Sequence, residues 1–347
     1  MRGDWAAVDD LKRWEGVPEL VKWLKPTKDS TKRQYLITMR LFQSWSKMGA
    51  KALIDEAEAD LEKGRRERGR PAQRLLDYYA YLTEKHETKQ GRNKSKVGIS
   101  PYKAAVIIGA LKSFYKNNGF PLMVKLPKAA PRKENRREEF DLPEIKKLLE
   151  VLPTQRDRAL VLFGLQGGFD VGTVTSLNLG DLQDKNLQPL LRGEMPDTPV
   201  LLRVVREKEG VDYETCLGRD AVEVLRLYLA ERKRRGEELN LDSPLFGKEG
   251  IGKRTGERAT PHLVQIMLRK AVIDAGIVTE ERLQRADINV YGYHALRGTF
   301  SKRLDHAGMP VNYINYMQGH RLQYNGAYTR PSQGKLLGLY KEFEPVL

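Results

Sequence analysis

The sequence predicts a mostly α-helical protein with a small antiparallel β-sheet, divided into two domains. Three observations predict it. Apolar residues recur at helical spacing through most of the chain, as at Tyr35, Met39, Phe42 and Trp45 and again at Ala104, Ile107, Ile108, Leu111 and Tyr115. Residues 199–205 and 211–217 instead resemble two strands, and they flank a turn containing Glu209 and Gly210, the pattern of a hairpin. Between the first helices and this mixed half, Pro121, Pro127 and Pro131 break the periodicity. A chain of 347 residues is long enough to bury a core in each part.

In chain order, Asp29 and Ser30 offer N-caps to a first helix that Gly49 closes. A second helix begins at Pro71, a residue suited to a first turn, and runs through Leu75, Tyr78, Tyr79 and Leu82. A third starts at Ser100 and Pro101 and stops at Asn118 and Gly119. The basic stretch from Lys89 to Lys96 reads either as a solvated loop or as a phosphate contact made by residues such as Lys94 and Lys96. Residues 1–122 thus make a helical domain and 123–138 a linker. In that linker Lys125, Lys128, Arg132, Lys133, Arg136 and Arg137 accompany the prolines, as in a strap crossing a nucleic-acid backbone. Beyond it, Asp141 caps a helix with Ile145, Leu148 and Leu149, and a more apolar helix runs from Arg156 through Leu165. After the hairpin, helices are expected over 221–233, 260–275, 294–307 and 311–317, then an amphipathic last segment with Leu336, Leu337, Leu339, Tyr340 and Phe343. The mixed domain spans 139–331, with 332–347 as a helical tail.

Charge narrows the partners. Lys and Arg number 61 against 46 Asp and Glu, a formal charge of +15, which points to a polyanion and first to nucleic acid. No apolar run approaches the roughly 20 residues of a spanning helix and no signal peptide opens the chain, so a cytoplasmic, nucleoid-associated protein without membrane contact is expected. The single cysteine, Cys216, cannot make an internal disulfide or a Cys-based metal site, and the five histidines lack metal-ligand spacing. No metal is expected.

Chemistry concentrates near the end. His294 and Arg297 lie three apart at the start of a helix, so both can face one phosphate, which Arg can grip with two parallel N–H groups. Alone the pair means little. A Gly319-His320 pair follows, with His320 23 residues after Arg297, and then Tyr328 eight residues later. In this joint spacing the sequence resembles the tyrosine recombinase, or phage integrase, family, and is similar to integrases of prokaryotic, including archaeal, mobile elements. The run 167–182, ending in Leu177-Asn178-Leu179-Gly180-Asp181-Leu182, looks like the family's first box, and the hairpin sits where the family carries a catalytic lysine.

The resemblance implies a helical core-binding domain followed by a mixed α/β catalytic domain, acting on double-stranded DNA. It implies that Tyr328 attacks the scissile phosphate to give a 3′-phosphotyrosyl link while Lys208 protonates the departing 5′ oxygen. Arg297 would bind the non-bridging oxygens, His294 assist the proton transfer, and His320 donate a hydrogen bond to the phosphate. Tyr324 is a rival nucleophile by position. No cofactor is expected, because the phosphotyrosine conserves the bond energy. Dimers on a site and tetramers at synapsis are implied, with the tail docking either on a neighbouring protomer or on its own domain. A DNA-binding relative without catalysis and a type IB topoisomerase are the alternatives.

One position departs from the family. Asp170 stands where the first box should carry an arginine, and Thr173 replaces the usual acidic residue three positions on. At an effective dielectric of about 20, unit charges about 4 Å apart interact by about 4 kcal/mol, so this reversal is expected to impair the chemistry. A deliberately inactivated variant, a natural member with a displaced arginine and a decayed integrase would each fit, as would a plain turn residue if the register were shifted.

Overall fold

A computed structural model describes residues 14–90, 94–128, 136–206, 210–249, 256–286, 288–320 and 330–347, with backbone alone at 30, 88–90, 94–96 and 184. The chain forms two compact units, Met1–Pro131 and Arg132–Leu347.

The first unit contains α1 (Pro18–Leu24), α2 (Asp29–Ser46), α3 (Ala50–Glu62), α4 (Arg70–Glu84), the hairpin β1 (Glu87–Gln90) and β2 (Lys94–Val97), and α5 (Pro101–Asn117). Ser100 caps α5 by accepting from the Lys103 amide, as its position suggested. Aromatic rings dominate the core. Trp23 stacks on Tyr35 with ring centres 4.7 Å apart and donates its indole N–H to Ser113 Oγ at 2.7 Å.

Three local expectations change here. Lys47, in the left-handed region at φ 59°, closes α2, whereas Gly49 is the N-cap of α3, a helix whose alanine-rich pattern concealed it. Asp29 is the first helical residue and Lys28 the N-cap, so no side chain caps α2. The stretch 89–96 lies largely in an antiparallel hairpin, with Glu87 opposite Val97 and Gln90 opposite Lys94, where a loop was expected. Its polar strands are joined by main-chain pairing and lack the apolar alternation that marks a strand in sequence. Further on, Leu122, Val124 and Leu126 pack against this unit's core while Met123, Lys125 and Pro127 between them face out. The start of the basic, proline-containing segment is therefore an extended strip on the helical unit.

The second unit contains α6 (Leu142–Val151), α7 (Gln155–Gly167), α8 (Val171–Ser176), a short 3-10 turn at Leu179–Asp181, α9 (Asp184–Arg192), β3 (Val200–Arg206), β4 (Val211–Leu217), α10 (Arg219–Arg234), α11 (Pro261–Asp274), α12 (Glu280–Arg285), α13 (Tyr293–Ala307), α14 (Val311–Met317) and α15 (Gln333–Phe343). An Asp141–Glu144 capping box opens α6. Helix α7 is apolar on nearly every face and buried from Ala159 through Gly167, and it packs against α8, α10, α11, α13 and β4. β3 and β4 pair in register from Val200 opposite Leu217 to Arg206 opposite Val211. The short α8, α9 and α12 span too few turns to show a periodic stripe in sequence.

The last helix packs on its own unit. Leu336 and Tyr340 are fully buried, Tyr340 donates its hydroxyl to the Gln166 carbonyl at 2.7 Å, and Glu344 accepts from the Arg219 amide at 2.7 Å. Among the described residues no helix is long and apolar enough to cross a membrane. Leu336→Ala should therefore cost the isolated chain about 2–5 kcal/mol in denaturant unfolding at low protein concentration. An unchanged midpoint would contradict this packing.

Candidate active site

Arg297 lies on the inner face of α13 and is only 3% exposed. A guanidinium so buried must replace its lost water with acceptors, and here backbone carbonyls supply them. Nη1 donates to the Gly168 carbonyl at 2.6 Å and Nη2 to the Gln318 carbonyl at 2.5 Å. Both acceptors owe their positions to helix ends: Gly168, at φ +65°, is the C-cap of α7, and Gln318 closes α14. Gly168 cannot be exchanged freely, since a Cβ there would stand 2.5 Å from the Phe300 ring. The Gln318 side chain returns the contact, donating from Nε2 to the Arg297 carbonyl at 3.0 Å. Burial lowers the Arg297 pKa, the nearby Tyr213 phenol opposes that, and Arg206 lowers it further.

His320 completes this cluster. Its Nε2 lies 3.0 Å from Arg297 Nη2 and its Nδ1 lies 3.1 Å from Asn315 Oδ1. A guanidinium can only donate, so Nε2 must accept, and the neutral ring then carries its proton on Nδ1, facing the Asn315 oxygen. Between these groups Gly319 turns the chain at φ +61°, over Tyr213, whose ring a Cβ would approach to 2.6 Å. Burial pushes the Tyr213 phenol up, and among the described residues its hydroxyl has no hydrogen-bond partner.

Asp170 occupies the N-cap of α8. Its carboxylate accepts from the Thr173 amide and the Thr173 hydroxyl, both at 3.0 Å. It also accepts from Arg206 Nε at 3.0 Å, from the far end of β3. Burial pushes this carboxyl up, but the two Thr173 bonds and the charges of Arg206 and Arg297 outweigh it and hold the group below the ordinary carboxylate range. The carboxylate beside Arg297 is thus paired with Arg206. Arg206 reaches further, donating from Nη1 to the Gly319 carbonyl at 3.3 Å. Two guanidiniums therefore contact successive carbonyls, Gln318 and Gly319, of one turn.

His294 is exposed, beside an open groove of about 450 Å³ lined also by Arg137, His262, Gln265, Arg269 and Asn289. Desolvation there, then the charges of Arg137 and Arg297, lower its pKa below the ordinary histidine value, with Asp170 acting the other way. Tyr328, Tyr324 and Lys208 lie outside the described residues, as do Arg132 and Lys133. Lys125, Lys128, Arg136 and Arg137 are exposed, and Lys94 and Lys96 are described only as backbone of β2. Among the described residues no group of three or more His, Cys, Asp or Glu could hold a metal ion.

The sequence profile of the phage integrase family matches residues 138–333, more than half of the chain. This chain is a member of the phage integrase family. A lambda integrase tetramer bound to a Holliday junction matches it with a TM-score of 0.51 at 15% identity, covering 93% of this chain and 78% of that one. The XerA recombinase crystal structure covers 98% of this chain and 99% of its own at 18% identity, with a TM-score of 0.40. Lambda integrase bound to DNA covers 94% and 96% at 14% identity, with a TM-score of 0.49. No curated protein matches. At 15% identity the likeness to the lambda integrase tetramer carries the fold alone, and the sequence profile carries membership.

In this integrase-family chain, then, His294, Arg297, His320 and Asp170 fall on one set of element ends around α13, while Arg206, Gln318, Asn315 and Tyr213 join them without having been singled out in the sequence. For Arg206 a signal existed. It shares strand parity with the buried Leu202 and Val204, whereas Arg203 and Val205 face out, so a cation was due on the inner face. The lowered His294 pKa means that its neutral form is favoured by the fold, a contribution present above pH 6.5 and lost as pH falls through the lowered value. Nuclear magnetic resonance titration of the ring should place the midpoint below 6.5. A midpoint at or above 6.5 would contradict the groove's electrostatics.

Proposed function

We propose that this chain is a site-specific DNA recombinase, an integrase of a mobile element that cuts and rejoins strands through a 3′-phosphotyrosyl intermediate. The observation carrying this reading is the buried Arg297 with His320 Nε2 at 3.0 Å, immediately before the segment that contains Tyr328. A guanidinium beside an imidazole suits the non-bridging oxygens of a phosphodiester, and His294, one helical turn before Arg297, lines a groove with the further cations Arg137 and Arg269.

In the reaction, the Tyr328 phenolic oxygen forms a bond to the scissile phosphorus and the bond to the 5′ oxygen of the next nucleotide breaks. The phenol proton passes to His294, whose lowered pKa keeps it neutral and able to accept near pH 7. Lys208 gives a proton to the departing 5′ oxygen, and Arg297 stabilises charge on the non-bridging oxygens. His320 reaches the phosphate as a donor only once Nε2 carries a proton, which couples its contact to proton uptake or to a change of tautomer. Rejoining reverses these steps with a different 5′ hydroxyl, and the chemistry calls for no cofactor.

Double-stranded DNA is the partner, in keeping with the charge of +15 and with the exposed Lys125, Lys128, Arg136 and Arg137. Two copies assemble on a site and four at synapsis, the latter in keeping with the lambda integrase tetramer bound to a Holliday junction. A DNA-binding protein without catalysis is the second reading, favoured by one observation, the carboxylate of Asp170 beside Arg297. End-labelled duplexes nicked and randomised around the nick separate the two. The recombinase reading expects a denaturant-resistant protein–DNA adduct that Tyr328→Phe abolishes at unchanged DNA affinity. Binding without any adduct would overturn it.

A further inference from the structure

We propose that Arg206 is the second phosphate-binding cation of this site and that Asp170 is its anchor, so that the carboxylate positions a guanidinium instead of repelling the substrate. The inference rests on the recombinase reading above and deepens it. Transfer of a phosphodiester needs positive charge on both non-bridging oxygens, and one arginine already held by the Gly168 and Gln318 carbonyls has limited N–H capacity left. The only question is where a second cation comes from when Asp170 stands in the first box.

The geometry answers it. Arg206 ends the inward-facing row Leu202, Val204, Arg206 of β3, which directs it beneath α8 and towards Gly319. Asp170 Oδ2 takes its Nε–H at 3.0 Å and the Gly319 carbonyl takes an Nη1–H at 3.3 Å, so two contacts on different edges fix the plane of the guanidinium. Nη2, the nitrogen shared by both forks, has no partner among the described residues. The Arg206 side chain is 16% exposed and that of Asp170 28%, so the pair is held by its surroundings yet reachable from solvent. The anchor is itself fixed, because Thr173 donates twice to the same carboxylate.

A second line is electrostatic. Arg206, Arg297 and Asp170 all act on His294, and Arg206 acts on Arg297, so the four groups share one field. With Asp170 ionised, its charge is offset by Arg206 and that of Arg297 is left in excess, a site that still attracts an anion. The same arrangement explains Thr173. Where a second carboxylate would compete for Arg206, a hydroxyl donates to Asp170 and leaves the cation to the substrate.

The test is the rate of adduct formation by the full chain on end-labelled nicked duplexes randomised around the nick, with affinity and thermal unfolding measured on every variant. Arg206→Ala should lower the single-turnover rate by roughly 100-fold, the cost of removing one donor from such a site, with affinity for the duplex within about threefold of wild type. Arg206→Lys, which keeps charge and loses the fork, should fall between them and decides the matter if the alanine variant does not fold. Asp170→Arg should also be slower than wild type, since it expels Arg206 and removes the acceptor of both Thr173 bonds. A wild-type rate for Arg206→Ala, or for Arg206→Lys at equal stability where the alanine variant is unfolded, would overturn the proposal. So would an Asp170→Arg chain faster than wild type: adducts from both chains with Asp170→Arg the faster remove the role of Arg206 and leave the recombinase reading standing, whereas a wild type that binds the duplex without any adduct removes that reading and this inference with it.

Discussion

The organisation of the second unit turns on the solvation of one buried charge. Arg297 is taken out of water by the packing of α13 on α7, and a bare guanidinium in that place would cost several kcal/mol. Carbonyls from two different helix ends, Gly168 after α7 and Gln318 after α14, offset it. Satisfying Arg297 thereby fixes the end of one helix against the end of another. The turn at Gly319-His320 that leads towards Tyr328 is set by the same contacts, and the N-cap Asp170, two residues beyond Gly168, is brought into reach of β3. The electrostatics of the site are consequences of that one demand.

Asp170 takes part in two contacts at once, at the helix cap and with Arg206. A carboxylate at a helix N-cap is favourable for the helix, since it satisfies orphan amides, and here it also serves as a fixed acceptor for a side chain arriving from a strand. A local capping choice and a long-range ion pair are made by the same two oxygens. The Thr173 hydroxyl donates to the same carboxylate and adds no further negative charge.

Much of the fold was legible because long helices announce themselves. Helices α2, α4, α5, α10, α11 and α13 have stripes of three or more turns, with Ser100 and Asp141 marking starts and Gly308 an end, and the sequence placed them within a few residues. What escaped was short, polar or alanine-rich: α1, α8, α9, α12, the β1–β2 hairpin and α3, whose stability comes from packing or main-chain pairing rather than a marked periodicity. At the site, His294, Arg297 and His320 could be read from spacing, because a helix start and a turn are local features. Arg206 could not be linked to Asp170 in the same way. The two are 36 residues apart, and only the pairing of β3 with β4 and the seating of β3 against α8 bring them together. Gln318 and Asn315, which hold Arg297 and His320 in place, act through a carbonyl and an amide that carry no sequence signature.

If two guanidiniums grip one phosphate as a unit, removing either should leave little for the other to do. A double-mutant cycle on the single-turnover cleavage rate, using Arg206→Ala and Arg297→Lys, tests this most directly. The account predicts strong non-additivity, with the double variant within about tenfold of the slower single variant while each single loses roughly 100-fold. Multiplicative losses would mean that Arg206 and Arg297 act independently, and would contradict the shared clamp.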